Sequence, residues 1–323
     1  MRWRYLAARA VSALALASSA VACAGSTQSS DGGADASVEG RGDAGPVLIE
    51  LSIAEAPSAD AAAPLVLVPP FSSSIHDYYV RCPSATNRLT VSMEASPGAE
   101  SRLVRPTMSA SKKKQTLPPL TVNENEAVVT AATNGSQTVE YWVRCLPPDF
   151  PAIQMVAHAE VGTPTPGYYL VGDFVAPGPA GGYAMVLDGN GVPVWYHLEP
   201  KGGVCDVDAI VDGGISYVPA AAQREPLPFQ LFTLSPLHEA NIAPNDGGPL
   251  DIHELRALPD GGYVALTTPL ETADLTGISI HLPDGGTIPG GPGSTIAGCD
   301  VVEFTMEGDV TWTWKATAHL DPG

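Results

Sequence analysis

Positive charge is scarce in this chain. Against 35 Asp and Glu stand only 16 Lys and Arg, a formal net charge of −19 over 323 residues. Nucleic acids need a face of Lys and Arg against their phosphates, so that class of partner is excluded. The one basic cluster, Lys112-Lys113-Lys114, is short and reads as a solvated loop. Aromatic residues are few, at 7% of the chain, while 33 Gly and 31 Pro are spread along it. That distribution breaks helices and suits turn-rich β structure. Hydrophobic runs are short: Val11 to Ala22 falls below the length needed to span a bilayer. Histidine pairs at zinc spacing and a twelve-residue calcium loop closed by Glu are both missing. Gly285 to Gly298 is rich in glycine but matches no phosphate-binding loop and reads as an ordinary long loop. No cofactor and no metal are expected.

What is present begins with an export signal over residues 1–22. Arg2 and Arg4 supply its positive charge, and the apolar run ends in Ala20-Val21-Ala22-Cys23, a small-x-small cleavage pattern. The same four residues resemble a bacterial lipobox, in which lipidation of Cys23 would make the membrane a partner through the anchor alone. A plain secreted protein is the alternative. Residues 23–46 are mostly Ser, Gly, Asp and Ala, with almost nothing to bury, and read as a flexible tether. The five cysteines are Cys23, Cys82, Cys145, Cys205 and Cys299. With Cys23 lipidated, four remain, an even number suited to an oxidising compartment. Three connectivities are open; one bridge per domain gives Cys82–Cys145 and Cys205–Cys299.

Residues 47–157 hold short apolar runs bounded by Pro, Gly and Asn, and two of them alternate as half-buried strands do: Arg88 to Met93 and Thr138 to Val143. This predicts a β-sandwich of about 100 residues. Prolines at 147, 148, 151, 164 and 166 punctuate the exit from it. In residues 158–323 two elements repeat. Tyr183 to Tyr196, YAMVLDGNGVPVWY, recurs as Val301 to Trp314, VVEFTMEGDVTWTW, with Gly191 and Gly308 each four residues before a Trp. DAIVDGGISYV from Asp208 recurs as LRALPDGGYVA from Leu255, the Asp-Gly-Gly triplets 48 residues apart. Short strands repeating at such a period are the mark of β-propeller blades. The fold expected is all-β, a sandwich followed by part of a propeller.

Tyr183–Tyr196, Asp251–Leu266 and Cys299–Asp321 resemble bacterial aryl-sulfate sulfotransferases, whose core is a six-bladed propeller often preceded by a β-sandwich. Phe71 to Cys82 resembles the cadherin-like sandwich that opens secreted members, and Tyr141 to Pro151 the segment joining it to the propeller. Asp251-Ile-His-Glu-Leu-Arg256 resembles the family's His-acid strand motif, and Trp312 to Asp321 its Trp-x-Trp…His-x-Asp segment. The resemblance covers about residues 65–323 and supplies about three blades, fewer than the four to eight that close a propeller. The segment resembling the family's sulfate-accepting His would lie beyond Gly323, so a longer product is expected, or else pairing with another copy or partner.

The resemblance implies transfer of a sulfuryl group from an aryl sulfate donor to a phenolic acceptor through a sulfohistidine. His253, His319 and Arg256 are its implied site residues here. His253 would contact the sulfuryl oxygens or move a proton, and is not the nucleophile. The bland reading of His253 is a histidine hydrogen-bonded within a blade. Arg256 reads as a sulfate contact or a surface charge, and Asp251 and Glu254 as groups that orient His253 or as solvated acids. His76 belongs to the sandwich, His158 to the domain junction, and His197, His238 and His281 to strand ends or loops. Trp195, Trp312 and Trp314 read as blade core before substrate platform. The competing function class is a non-catalytic surface module that binds a glycan or a protein.

Overall fold

In the computed structural model the described residues are 45–56, 64–124, 126–156, 158–162, 165–174, 181–200, 202–210, 213–220, 227–234, 237–246 and 248–319. The export signal, Cys23, the tether to residue 44, Asp321 and Asp212 of the first Asp-Gly-Gly triplet lie outside them. The described residues are all-β: strands, two single-turn 3-10 helices and no α-helix. They fall into two compact units. One runs to Gly167 and takes in Asp188–Val194; the other comprises Tyr168–Leu187 and Trp195–Gly323.

The first unit contains β1 (Leu48–Glu55), β2 (Pro64–Leu65), β3 (Asp77–Arg81), β4 (Thr86–Ala95), β5 (Glu100–Arg105), β6 (Ser111–Lys112), β7 (Lys114–Thr116), β8 (Leu120–Asn123), β9 (Ala127–Asn134) and β10 (Gln137–Leu146). Period-two alternation makes these strands; β4 buries Asn87, Leu89, Val91, Met93 and Ala95 and turns the residues between them outward. One sheet runs β2-β1-β4-β7, with β8 also on β4, and the other β3-β10-β9-β5-β6. Both sheets contribute to one core, where Leu51, Ile53, Val91 and Met93 join Tyr78, Val80, Leu103 and Val143. Each such buried side chain contributes about 1.5–3 kcal/mol. Cys82 follows β3 and Cys145 lies on β10, which runs parallel to it. The two are joined as a disulfide, with Cα atoms 5.4 Å apart.

The second unit contains β11 (Tyr169–Gly172), β12 (Gly182–Leu187), β13 (Pro193–Glu199, from Trp195 on), β14 (Gly203–Ile210), β15 (Gly214–Ala220), β16 (Phe229–Leu234), β17 (Leu237–Ile242), β18 (Leu250–Ala257), β19 (Tyr263–Thr267), β20 (Leu270–Ala273), β21 (Ser279–His281), β22 (Thr287–Pro289), β23 (Ser294–Ala297), β24 (Asp300–Phe304) and β25 (Val310–Trp314). Its three principal sheets are β11-β12-β13, β14-β15-β16-β17 and β18-β19-β24-β25. The two sequence repeats are hairpins of these sheets. The strand–turn–Trp element forms β12–β13 and β24–β25, and the Asp-Gly-Gly element forms β14–β15 and β18–β19. Gly191 and Gly308 have φ of +76° and +89°, which explains glycine at that step of both turns.

Successive sheets share apolar layers. Ala184 and Trp195 from the first sheet pack with Val204, Ile215, Tyr217 and Phe232 of the second. Val218, Phe229, Leu231 and Ile242 of the second pack with Leu255, Tyr263, Ala265, Val302 and Phe304 of the third. Two expectations are corrected here. Gly285 to Gly298 is not an ordinary loop, because β22 and β23 lie in it and pair with β21 and β20 as a ribbon inserted between β19 and β24. The Cys205–Cys299 bridge is not formed, and both cysteines are free. Cys205 packs against the layer between the second and third sheets, whereas Cys299 is exposed at the base of the ribbon, so their thiols face different surroundings.

Candidate functional site

The His-acid segment lies on β18 and coincides with a break in its pairing. Leu250 pairs with Thr267 and Leu255 with Ala265, so five steps along β18 match two along β19. The extra chain is taken up as a bulge over Asp251–Glu254. The bulge inverts the alternation of side chains: Leu250 and, within the bulge, Ile252 pack inward, as do Leu255 and Ala257 after it. Asp251, His253, Glu254 and Arg256 therefore all face outward, although their numbers are of both parities.

β14, at the edge of the neighbouring sheet, carries a second bulge. Cys205 pairs with Val218 and Asp208 with Ser216, three steps against two. Asp206 sits at this point with φ +47°, a conformation that costs an L-residue about 1–2 kcal/mol and that Asp tolerates better than most. Asp206 Oδ2 accepts the Leu255 N–H at 3.0 Å and so fastens one bulge to the other. Loss of water around the half-buried Asp206 carboxyl pushes its pKa up to about 6. The Leu255 N–H and Arg256 oppose this, while Glu254 and Asp208 add to it.

Arg256 donates from Nε to Glu254 Oε1 and from Nη1 to Asp208 Oδ2. The two carboxylates hold its pKa above the ordinary value, Glu254 most strongly. The guanidinium expected to contact sulfate is thus already flanked by anions of its own chain. His253 is 74% exposed along its side chain, and its Nδ1 lies 2.5 Å from Asp251 Oδ1. The same Asp251 oxygen accepts the His253 backbone N–H at 3.0 Å. With Nδ1–H donating to Asp251, Nε2 remains the ring's acceptor, the arrangement a general base requires.

His319 is not brought to His253. It follows β25, the strand at the opposite edge of the third sheet, and stacks on Trp314 at 5.2 Å and 4°. Three strand-to-strand steps separate the edges, about 14 Å. Asp300, almost fully buried, accepts the Ala316 N–H at 3.1 Å, and Thr317 donates to Glu271 Oε2 at 2.6 Å. These contacts pin the segment that carries His319.

His76 meets Tyr141 edge-on at 5.2 Å, His158 pairs with Glu160 at 2.9 Å, and His281 lies on the exposed ribbon. The side chain of His238 lies outside the described residues. His197 lies two residues before the end of β13, with its ring 4.6 Å from Phe232. Burial pushes its pKa down, against Glu239 and Glu199. Glu199, buried, accepts the Tyr217 hydroxyl at 3.2 Å, so this cluster is core.

Sequence reasoning missed Asp206 and Asp208. The 48-residue repeat carries the signal, since it aligns Asp206 with Glu254 and Asp208 with Arg256. Among the described residues no group of three or more His, Cys, Asp or Glu could hold a metal ion. Compared with known proteins, the chain is matched by no family model and by no curated protein.

Proposed function

We propose that the second unit is about half of a six-bladed β-propeller, that the first unit is a cadherin-like β-sandwich, and that the product is an exported aryl-sulfate sulfotransferase. One observation carries the reading: the His-acid segment is the bulged part of β18 and faces a second bulge in β14. Bulges recur beside active sites because they re-aim side chains that a regular strand would alternate away.

In the reaction a nucleophilic imidazole attacks the sulfur of an aryl sulfate. The N–S bond forms as the S–O bond to the aryl group breaks, and the electron pair leaves on the phenolate, which takes a proton. A phenol then attacks the same sulfur; its O–S bond forms, the N–S bond breaks, and the phenol proton passes to a base. His253, held by Asp251 with Nε2 available, serves these proton transfers. The nucleophilic role is assigned to none of His253, His319 and Arg256. Export with a lipid on Cys23 places the product at the outer membrane; without the lipid it is periplasmic or extracellular.

The test is to incubate the native product with 4-nitrophenyl sulfate and no acceptor, then search its peptides for a sulfuryl group on histidine. A sulfohistidine with matching nitrophenolate release supports the reading. Absence of both sinks it.

The electrostatics of the site favour a second reading. Asp206, Asp208, Asp251 and Glu254 outnumber Arg256, and Arg256 is already paired with two of them. Such a surface repels a sulfate ester and attracts cations, as a non-catalytic module with a basic protein partner would require. Saturable binding without turnover would identify it.

A further inference from the structure

β18 is an edge strand of the third sheet and β14 an edge strand of the second. Alternate N–H groups of an edge strand have no neighbouring strand to accept them. On β18 one of these belongs to Leu255, the first residue paired with β19 after the bulge. Leu255 is 1% exposed, which leaves water little access, and its N–H goes to Asp206 Oδ2 at 3.0 Å. A side chain of β14 thus makes the bond that a ladder partner would make, at the residue where the bulge ends.

Asp206 is held there in an unfavourable conformation. Among the described residues it is the one non-glycine with positive φ, and it sits where the pairing of β14 slips between Cys205 and Asp208. Strained backbone persists where its surroundings over-determine it, and such residues gather at functional sites. Among the described residues no hydrogen bond joins Asp206 to His253. The His253 ring and backbone N–H are both held by Asp251 Oδ1, so the two residues move as one piece of the bulge. The direction of that piece depends on how the chain is fixed on either side. Leu250 is fixed by its pairing with Thr267, and Leu255 by Asp206. The exposed Arg256–Asp208 pair adds a second link at that end, of a kind that contributes little in water.

We infer that Asp206 is a positioning residue for His253: by accepting the Leu255 N–H it fixes the exit of the β18 bulge, and with it the Asp251–His253 pair and the free Nε2. The inference rests on the reading of His253 as the group that moves protons. An amide oxygen can accept the same N–H. Asp206→Asn should therefore keep the bulge in place, and Asp206→Ala should release it.

Three readouts on the native product test this. The first is the tautomer of the His253 ring by nitrogen NMR of histidine-labelled protein, its signal identified by its loss in His253→Ala. With the ring neutral, the wild type should carry the proton on Nδ1. Asp206→Ala should move it largely to Nε2, the nitrogen that carries it in an unconstrained histidine, and Asp206→Asn should leave it on Nδ1. The second is hydrogen exchange at the Leu255 amide, expected about 10-fold or more faster in Asp206→Ala and near wild type in Asp206→Asn. The third is phenol-dependent turnover of 4-nitrophenyl sulfate. There kcat should fall about 10-fold in Asp206→Ala at an unchanged KM, and recover in Asp206→Asn. Phe232→Ala, which weakens the layer between the first and second sheets, controls for lost stability and should leave the tautomer and kcat unchanged. A His253 ring in the same tautomer in wild type and Asp206→Ala overturns the proposal. So does the same tautomer shift in Phe232→Ala, or an Asp206→Asn variant that behaves like Asp206→Ala. The first two readouts need no turnover. A native product without turnover, whose His253 tautomer follows Asp206, sinks the sulfotransferase and keeps the positioning role. Turnover lost in His253→Ala but untouched in Asp206→Ala does the reverse.

Discussion

Replacing Asp206 is the sharpest perturbation of the candidate site. Its carboxylate accepts the N–H of Leu255, a residue 1% exposed, and ties two bulges that are otherwise joined by packing and the exposed Arg256–Asp208 pair. In Asp206→Ala that buried donor loses its acceptor, at a cost of about 1–3 kcal/mol. Asp206→Asn keeps an acceptor and removes the charge. The folded carboxyl titrates near 6 against an ordinary 3.8, so the folded state holds the extra proton between those values. Its contribution to stability is therefore largest below about pH 4 and declines as pH rises through 6. The whole shift would correspond to about 3 kcal/mol, but the group is only half-buried, so solvent screening leaves about 1 kcal/mol. Urea unfolding between pH 4 and 8 checks this. The wild type should lose about 1 kcal/mol relative to Asp206→Asn across that range. Parallel pH profiles for the two proteins, or an Asp206→Ala variant as stable as wild type, would refute the reasoning.

Three further outcomes are expected. Removing the Cys82–Cys145 bridge, which closes a loop with sequence separation 63, should cost about 4 kcal/mol in chemical denaturation. In the folded protein Cys299 should alkylate readily, and Cys205 only slowly. Cys205 is half-buried, and burial pushes its thiol pKa up, with Asp206 adding to the effect; mass spectrometry of the labelled peptides would show the order. Phe304→Ala, which empties a site 1% exposed at the layer between the second and third sheets, should cost about 3–5 kcal/mol, read from the urea midpoint.

The all-β class was legible because alternation and turn residues act locally. The two repeats also marked out hairpins, and in the strand–turn–Trp repeat Gly191 and Gly308 hold the same left-handed turn. The bulges were not legible. A bulge is a mismatch between two strands, and one strand's sequence does not show how many residues its neighbour spends. Asp251, His253, Glu254 and Arg256 read as residues of a regular strand, half of which would point inward. Asp206 was missed for the same reason. The Cys82–Cys145 pair followed from assigning one bridge to each domain, and the same rule failed for Cys205 and Cys299, because cysteine parity carries no information about which way a thiol faces. The ribbon of β20 to β23 was hidden by glycines that read as loop and are turns between very short strands.

Phenol-dependent release of 4-nitrophenolate from 4-nitrophenyl sulfate, compared between the native product and its His253→Ala form, decides whether the bulge of β18 is an active site. His253 is largely exposed, so the substitution should leave stability within about 0.5 kcal/mol. Turnover is expected to require the phenol and to fall about 100-fold or more in the variant. Turnover that is unchanged by His253→Ala, or no turnover by the native product, would contradict an active site there.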